Sequence, residues 1–132
     1  MRLRGLTDSK EGRLVVIGVI GGTLLVAAAI LNLTMGREAD ASADDVRVSL
    51  RRELALVSDE TIADYPDSAP TIERLAVKAV GDKPARVLGT ARPDGEEIVV
   101  AVQSGWGWQV RCVKAELRGD STVLTYVTSR PC

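Results

Sequence analysis

Residues 14–33 read LVVIGVIGGTLLVAAAILNL, a stretch of twenty residues without a charged side chain. Arg13 precedes it, and Arg37 and Glu38 follow shortly after it. About twenty residues at 1.5 Å rise make a helix of roughly 30 Å, the thickness of a bilayer's hydrocarbon core. A surface helix of a soluble domain needs only one apolar face, whereas this stretch is apolar all round. The sequence therefore predicts one transmembrane helix, with the lipid bilayer as its partner.

The predicted span divides the chain into a tail over residues 1–13, a juxtamembrane segment over 34–41 and a folded domain over 42–132. Basic side chains outnumber acidic ones in the tail, which carries Arg2, Arg4, Lys10, Arg13, Asp8 and Glu11. Lys and Arg next to a span favour the cytoplasmic side of the membrane. We therefore expect a cytoplasmic N-terminus, a single-pass anchor in the cell membrane and an extracytoplasmic domain.

A cleaved secretory signal is the rival interpretation of the same stretch. Ala41-Ser42-Ala43 has the small-x-small pattern that a signal peptidase accepts, and a basic segment precedes the apolar run. The apolar core of a secretory signal is usually about 7–15 residues, which is shorter than the run found here. We therefore expect an uncleaved signal-anchor.

The two cysteines of the chain, Cys112 and Cys132, both lie in the predicted domain. An even number of cysteines, with one at the C-terminus, is typical of a disulfide formed in an oxidising compartment. A hairpin turn near Gly119 would place Cys112 roughly opposite Val127, so the chain after Ser129 must turn back to bring the two Cα atoms within about 7 Å. We predict an intramolecular disulfide. The alternative is an intermolecular bond through Cys132, which would give a covalent dimer.

Apolar residues at helical spacing predict an amphipathic helix over Ser42–Ser58, with Ser42 as its N-cap. Its apolar face consists of Ala43, Val46, Leu50, Leu54 and Val57. A linker over Asp59–Pro70 then leads to a short helix over Ile72–Val80, for which a strand is the alternative, and Gly81 is suited to end that helix. The pattern leaves open whether the amphipathic helix continues the membrane helix.

From Ala85 onward, turn sequences separate four predicted strands, over residues 85–91, 96–103, 107–117 and 121–129. The turns are Arg92-Pro93-Asp94-Gly95, Ser104-Gly105-Trp106-Gly107 and Arg118-Gly119-Asp120. Short connections between consecutive strands predict an antiparallel meander, and the amphipathic helix is expected to cover one of its faces. The predicted fold class is α+β with one disulfide.

The composition argues against several function classes. The net charge of −1 gives no reason to expect a nucleic-acid partner. The chain has no His, which is the commonest general base and a common metal ligand. With the cysteines expected to be oxidised, and with no phosphate-binding loop or zinc spacing, we expect no catalytic residue, no metal and no cofactor. The protein is expected to be non-enzymatic.

Two short motifs are candidate contact sites. Gly18 and Gly22 form a G-x-x-x-G, which allows two membrane helices to approach closely, although glycine is also simply common in such helices. Trp106 and Trp108 in the Gly105–Trp108 segment could form an aromatic platform for a glycan, a partner or the membrane interface. The alternative places Trp108 in the core and Trp106 at the sheet edge. We expect Trp108 in the core and leave Trp106 open.

The order of elements resembles that of type IV pilins and pseudopilins. The resemblance rests on a basic leader, the sequence LVVIGVIGG at residues 14–22, an amphipathic helix, a β-meander and a C-terminal Cys loop. It implies a structural subunit that polymerises through its apolar helix in a filament or secretion system. Prepilins are cut after a Gly and carry Glu at the fifth mature position, whereas the fifth residue after Gly5 is Lys10 and after Gly12 is Ile17.

Two hypotheses for the function follow. The first is a membrane-anchored accessory subunit whose outer domain contacts a larger envelope complex, and the second is a pilin-like structural subunit. We rank the first higher because the prepilin processing motif is missing. An uninterrupted helix from about Arg13 to Ser58 would favour the second, and a break over Asn32–Ser42 would favour the first.

Overall fold

The computed structural model describes residues 10–132, apart from the side chains of Asp94 and Trp106. Residues 1–9 of the predicted tail therefore lie outside the described residues. In chain order the elements are α1 (Lys10–Leu54), α2 (Asp59–Ala63), α3 (Ala69–Val80), β1 (Ala85–Asp94), β2 (Glu97–Trp106), β3 (Gln109–Leu117) and β4 (Val123–Thr128). The chain divides into two compact units, Met1–Met35 and Gly36–Cys132.

In the first unit, the large apolar side chains of α1 face outward around the helix. Leu25 is 74% exposed, and the least exposed of the outward-facing set, Leu31, is still 53% exposed. Among the described residues, α1 is the one helix that is long and apolar enough to cross a membrane, judged by its length and composition.

The backbone of α1 is helical without interruption from Lys10 to Leu54, so the amphipathic segment continues the apolar stretch instead of beginning anew at Ser42, a question that the sequence left open. Asn32 and Gly36 are weak helix formers, but each costs no more than about 1 kcal/mol relative to Ala. The side chain of Ser42 does not cap a helix, because its hydroxyl group lies 3.2 Å from that of Ser104 in β2. Residues 34–41, predicted as a separate juxtamembrane segment, are helical as well.

The second unit confirms the predicted α+β class. Its four strands form one antiparallel sheet in the order β1-β2-β3-β4. One face of the sheet is covered by helices, and all five residues of the predicted apolar helix face are buried there. They pack in one cluster with α3 and with the inward residues of the central strands, which are Ile98, Val100, Val102, Val113, Ala115 and Leu117.

The segment between α1 and the sheet is more helical than predicted. Within the expected linker over Asp59–Pro70, α2 is capped by Ser58, whose hydroxyl group accepts a hydrogen bond of 3.3 Å from the Thr61 N–H. The predicted helix over Ile72–Val80 is confirmed as α3, which excludes the strand alternative. Gly81 ends it with a φ of 52°, a conformation that favours glycine.

The first two hairpin turns lie further along the chain than predicted. β1 extends to Asp94, which pairs with Glu97, so the turn is Gly95-Glu96. Pro93 does not end the strand because β1 is at the edge of the sheet, where the register shifts between Ala91 and Asp94, and Pro is tolerated at edges and bulges. The last turn, near Gly119, lies where it was predicted.

Candidate functional site

The face of the sheet opposite the helices, which we call the open face, carries a mixture of side chains. Across β2 and β3 its residue pairs are Val99 with Glu116, Ala101 with Lys114 and Gln103 with Cys112. β4 adds Leu124 and Tyr126, which are 41% and 38% exposed. An exposed mixture of apolar and charged groups is typical of a surface that contacts water or another protein rather than a core.

The C-terminus of the chain is fixed to the open face. Cys112 and Cys132 form a disulfide with a Cα–Cα distance of 5.1 Å, which confirms the predicted pairing and its intramolecular form. The Cys112 position pairs with Thr128, one residue beyond the predicted Val127. Cys112 is 1% exposed although it lies on the open face, because the returning chain end covers it. Both sulfur atoms are bonded, so neither provides a thiolate.

Trp108 is not in the core, contrary to the prediction. It is 65% exposed in the two-residue turn between β2 and β3. β2 runs to Trp106, which pairs with Gln109, so the turn is Gly107-Trp108 instead of residues 104–107. The side chain of Trp106 lies outside the described part of the molecule, so the contribution of Trp106 to an aromatic platform stays a prediction.

The close approach of β2 and β3 at this turn depends on Gly105. Its φ is 109°, a value that L side chains rarely adopt. A Cβ atom at this position would collide with the carbonyl oxygen of Gln109 and would lie 3.2 Å from the Cα of Val110. Glycine at this position therefore lets the hairpin close and carry Trp108 at its tip.

A cleft of about 360 Å³ lies beside the Trp108 turn. Its lining comes from β1, β2 and β3 and from residues next to these strands: Pro84, Ala85, Arg86, Gln103, Gly105, Gly107 and Val110. The Arg86 Nε atom donates a 3.0 Å hydrogen bond to Gln103 Oε1, so a guanidinium and an amide are held together there. Arg86 and Gln103 were not predicted as candidate site residues, although the alternation of side chains along β1 and β2 would have placed both on the open face.

Polar contacts hold this end of the sheet against α1. The Arg111 Nε atom donates to Asp40 Oδ1 at 2.7 Å, and the Arg111 side chain is only 15% exposed. Ser104, opposite Arg111 in the ladder, is fully buried and faces Ser42. Near the turn, two polar contacts therefore replace the apolar packing of the core. These contacts fix the position of the hairpin.

A second cleft, of about 380 Å³, surrounds Arg92. Its guanidinium lies 5.9 Å from the centre of the Tyr65 ring, and its Nη1 atom donates to the Tyr65 carbonyl oxygen at 3.4 Å. Asp59 and Glu96 line the same cleft, and Asp59 accepts a hydrogen bond from the Ser121 hydroxyl group. These contacts connect Tyr65, just after α2, to β1, and Asp59 of α2 to the last hairpin turn.

Two ionisable groups near the sheet have altered pKa values. Partial burial raises the pKa of Tyr126, and the carboxylate of Glu116, which accepts its hydrogen bond at 3.0 Å, raises it further. Hydrogen bonding to Thr122 lowers the pKa of Asp120 in the last turn. Within residues 10–132, no group of three His, Cys, Asp or Glu side chains is placed to hold a metal ion.

Gly18 and Gly22 lie in the first unit, on α1. A Cβ atom at either position would meet no atom within 4 Å beyond the neighbouring backbone of its own helix, so packing within the described chain does not require glycine there. Their role in helix association stays a prediction. Comparison with known proteins gives no match for this chain: no family model, no curated protein and no solved structure is significantly similar to it.

Proposed function

We propose that this protein is a non-enzymatic, single-pass membrane protein whose C-terminal domain binds another envelope protein as an accessory subunit. The observation that carries the proposal is the exposure of Leu14–Leu33. Its large apolar side chains, including Leu25 at 74% exposure, have no core of their own. Leaving apolar surface in water costs about 25 cal/mol per Å², so this helix requires a lipid environment.

The flanking charges and the disulfide support the same orientation. The basic residues before Leu14 favour a cytoplasmic N-terminus. The Cys112–Cys132 bond is of the kind that persists in oxidising compartments, outside the cytoplasm. Both features agree with a domain on the outer side of the membrane.

The packing of the domain supports an uncleaved anchor. Cleavage after Ala43 would remove Ala39 and Ala43, which are 1% and 0% exposed, from the domain. It would also remove the contact between Ser42 and Ser104 and the ion pair from Asp40 to Arg111. A secreted product starting at Asp44 would therefore be less stable than the anchored chain.

The proposed binding surface is the Trp108 turn with the adjoining cleft. Trp and Arg are enriched in the parts of interfaces that contribute most to affinity, and here an exposed Trp108 lies next to the cleft that contains Arg86. Gly105 and the Arg111–Asp40 pair hold the turn in place. A second contact, in the membrane, is proposed at Gly18 and Gly22.

The absence of enzyme activity is proposed on the basis of the sequence and the disulfide. The chain has no His, and both of its cysteines are bonded to each other. The commonest general base and the commonest soft nucleophile are therefore missing.

A pilin-like structural subunit is the second candidate, and one observation favours it. α1 is helical without a break through residues 32–42, and such continuity was expected to favour the pilin-like candidate. Against it stand Lys10 and Ile17 at the positions where a prepilin would carry Glu.

The mature N-terminus of the native protein tests these alternatives. We expect the protein to stay in the membrane pellet after alkaline carbonate extraction and to show no cleavage after Gly5, Gly12 or Ala43. A soluble product that begins at Asp44 would refute the anchor. A product that begins directly after Gly5 or Gly12, recovered in sheared filaments, would establish the pilin-like candidate in its place.

Orientation is tested by cysteine labelling in intact cells, since the native cysteines are both bonded. A membrane-impermeant maleimide should label a Glu73→Cys variant, at an exposed position of α3, and should not label a Ser9→Cys variant. The reverse pattern would contradict the proposed topology. A photo-crosslinking residue at position 108 should capture a larger envelope protein, whereas the same residue at position 73 should not.

A further inference from the structure

We propose that β4 is a dimerisation edge, at which a second copy of this chain adds its own β4 antiparallel around a two-fold axis at Thr125. The two four-stranded sheets would then form one continuous sheet of eight strands. This inference goes beyond the proposed function, which assigns no partner to β4.

The two edges of the sheet differ in how they are protected. β1 has register shifts between Val87 and Gly89 and between Ala91 and Asp94, and it contains Pro93 and two arginines. Bulges, prolines and charges of this kind prevent unwanted pairing at a sheet edge. β4 has none of these features: its register with β3 is unbroken, and residues 121–129 contain no charged side chain.

The backbone groups that point away from β3 can be identified from the hairpin turn. The Arg118 N–H donates to the Thr122 carbonyl oxygen at 2.9 Å, and Ser121, with a φ of 65°, completes a three-residue loop. Residues along an antiparallel pair alternate between hydrogen-bonded and non-hydrogen-bonded positions. The N–H and C=O groups of Val123, Thr125 and Val127 therefore face outward. Within the part of the chain that the structure describes, no other strand pairs with this edge.

The sequence of β4 is suited to pair with itself. Residues 122–128 read T-V-L-T-Y-V-T, which is almost the same in reverse. An antiparallel pair centred on Thr125 places Val123 opposite the second copy's Val127, and Leu124 opposite the second copy's Tyr126. Such β-branched and aromatic–aliphatic pairs are favourable across antiparallel strands.

Exposure favours the same register. Leu124, Tyr126 and Val127 are 41%, 38% and 37% exposed, and the second strand would cover apolar surface at each of them. A two-fold axis makes these contacts reciprocal.

A cysteine at the axis tests the register directly in the purified full-length protein in detergent. In Thr125→Cys, two cysteines that face each other at about 5.5 Å between Cα atoms can form a disulfide. We expect a covalent dimer on non-reducing gels after mild oxidation. The control Thr122→Cys places its two cysteines about 20 Å apart in the same register, and it should run as a monomer on the same gel. Crosslinking of Thr122→Cys but not of Thr125→Cys would overturn the proposal.

Paired charge variants test whether the strand recognises a second copy of itself. Leu124→Lys with Tyr126→Lys places Lys opposite Lys in the proposed register and should weaken dimerisation at least tenfold in light scattering. Leu124→Lys with Tyr126→Glu removes the same apolar side chains but places Lys opposite Glu, and it should retain the dimer. Equal dimerisation of the two variants would refute strand pairing. If the first variant does not fold, as judged by circular dichroism, the Thr125→Cys crosslink still decides. A dimer abolished only by Gly18→Leu with Gly22→Leu would place the interface in the membrane helix and would also refute the proposal.

Discussion

The two faces of the sheet are built from the same strands, yet they differ in burial, polarity and charge. On the covered face, Val100, Val102 and Val113 are fully buried under α1 and α3. On the open face, their immediate neighbours include Lys114 and Glu116, and Leu124 and Tyr126 remain exposed. Successive side chains of a strand point to opposite faces, so the same strand can contribute to the core and to a surface that contacts solvent or a partner. The covered face holds the domain together, so the open face and its edges are available for contacts.

The largest expected effect is the loss of core packing on the covered face. Leu50→Ala or Leu54→Ala, both at fully buried positions, should each lower the free energy of unfolding by about 2–5 kcal/mol, because each leaves a cavity. Leu124→Ala on the open face should change it by less than about 1 kcal/mol. Chemical denaturation followed by circular dichroism measures all three. Equal losses at Leu50 and Leu124 would show that the two faces do not differ as described.

The disulfide is the strongest contribution that we expect from the open face. Cys112→Ser with Cys132→Ser opens a loop with a sequence separation of 20. In the chain-entropy model, losing such a crosslink costs about 3 kcal/mol. Denaturation of this double variant, compared with the oxidised wild-type protein, measures that cost. A variant as stable as the oxidised wild type would mean that the chain end is held by other contacts.

Part of the difference between the two faces could be predicted from the sequence. The positions that α1 buries follow from helical spacing alone, as Ala43, Val46 and Leu50 show, because one apolar stripe of a helix faces a core. The disulfide also followed from the number and position of the cysteines. The position of the first turn did not, since Pro93 lies within an edge strand at a register shift, and no local signal distinguishes that from a turn.

A two-residue displacement of a turn explains the error at Trp108. Trp108 was predicted in the core as part of a strand over residues 107–117, but the strand begins only at Gln109 and its core side is that of Val113. The contact between Arg111 and Asp40 joins residues 71 positions apart, which no local pattern encodes. The sequence likewise left open whether α1 is continuous, because Asn32 and Gly36 are weak helix formers. In the structure, the helical residues on either side outweigh their low propensity.

The polar end of the covered face should contribute less than the apolar part. Asp40→Asn removes the ion pair with Arg111, whose side chain is 15% exposed, but Asp40 itself is 65% exposed. We expect a loss of about 0.2–1 kcal/mol in the free energy of unfolding, smaller at high salt. The matched control is Asp44→Asn, which removes only a local pair with Arg47. A loss of several kcal/mol for Asp40→Asn would show that this end of the core depends on the ion pair.

The smallest effect should come from Tyr126 on the open face. Partial burial, together with the adjacent Glu116 carboxylate, favours the neutral phenol and raises its pKa above the ordinary value of about 10. The folded state therefore binds this proton more tightly than the unfolded state does. The resulting stability is fully present below about pH 10 and is lost as the pH rises through the pKa of the folded protein. Absorbance titration of a Tyr65→Phe variant, in which Tyr126 is the remaining tyrosine, measures this pKa. Adding Glu116→Gln should lower it towards the ordinary value. If Glu116→Gln leaves the pKa of Tyr126 unchanged, burial alone causes the shift, and the Glu116 carboxylate does not make the surroundings of Tyr126 measurably more polar.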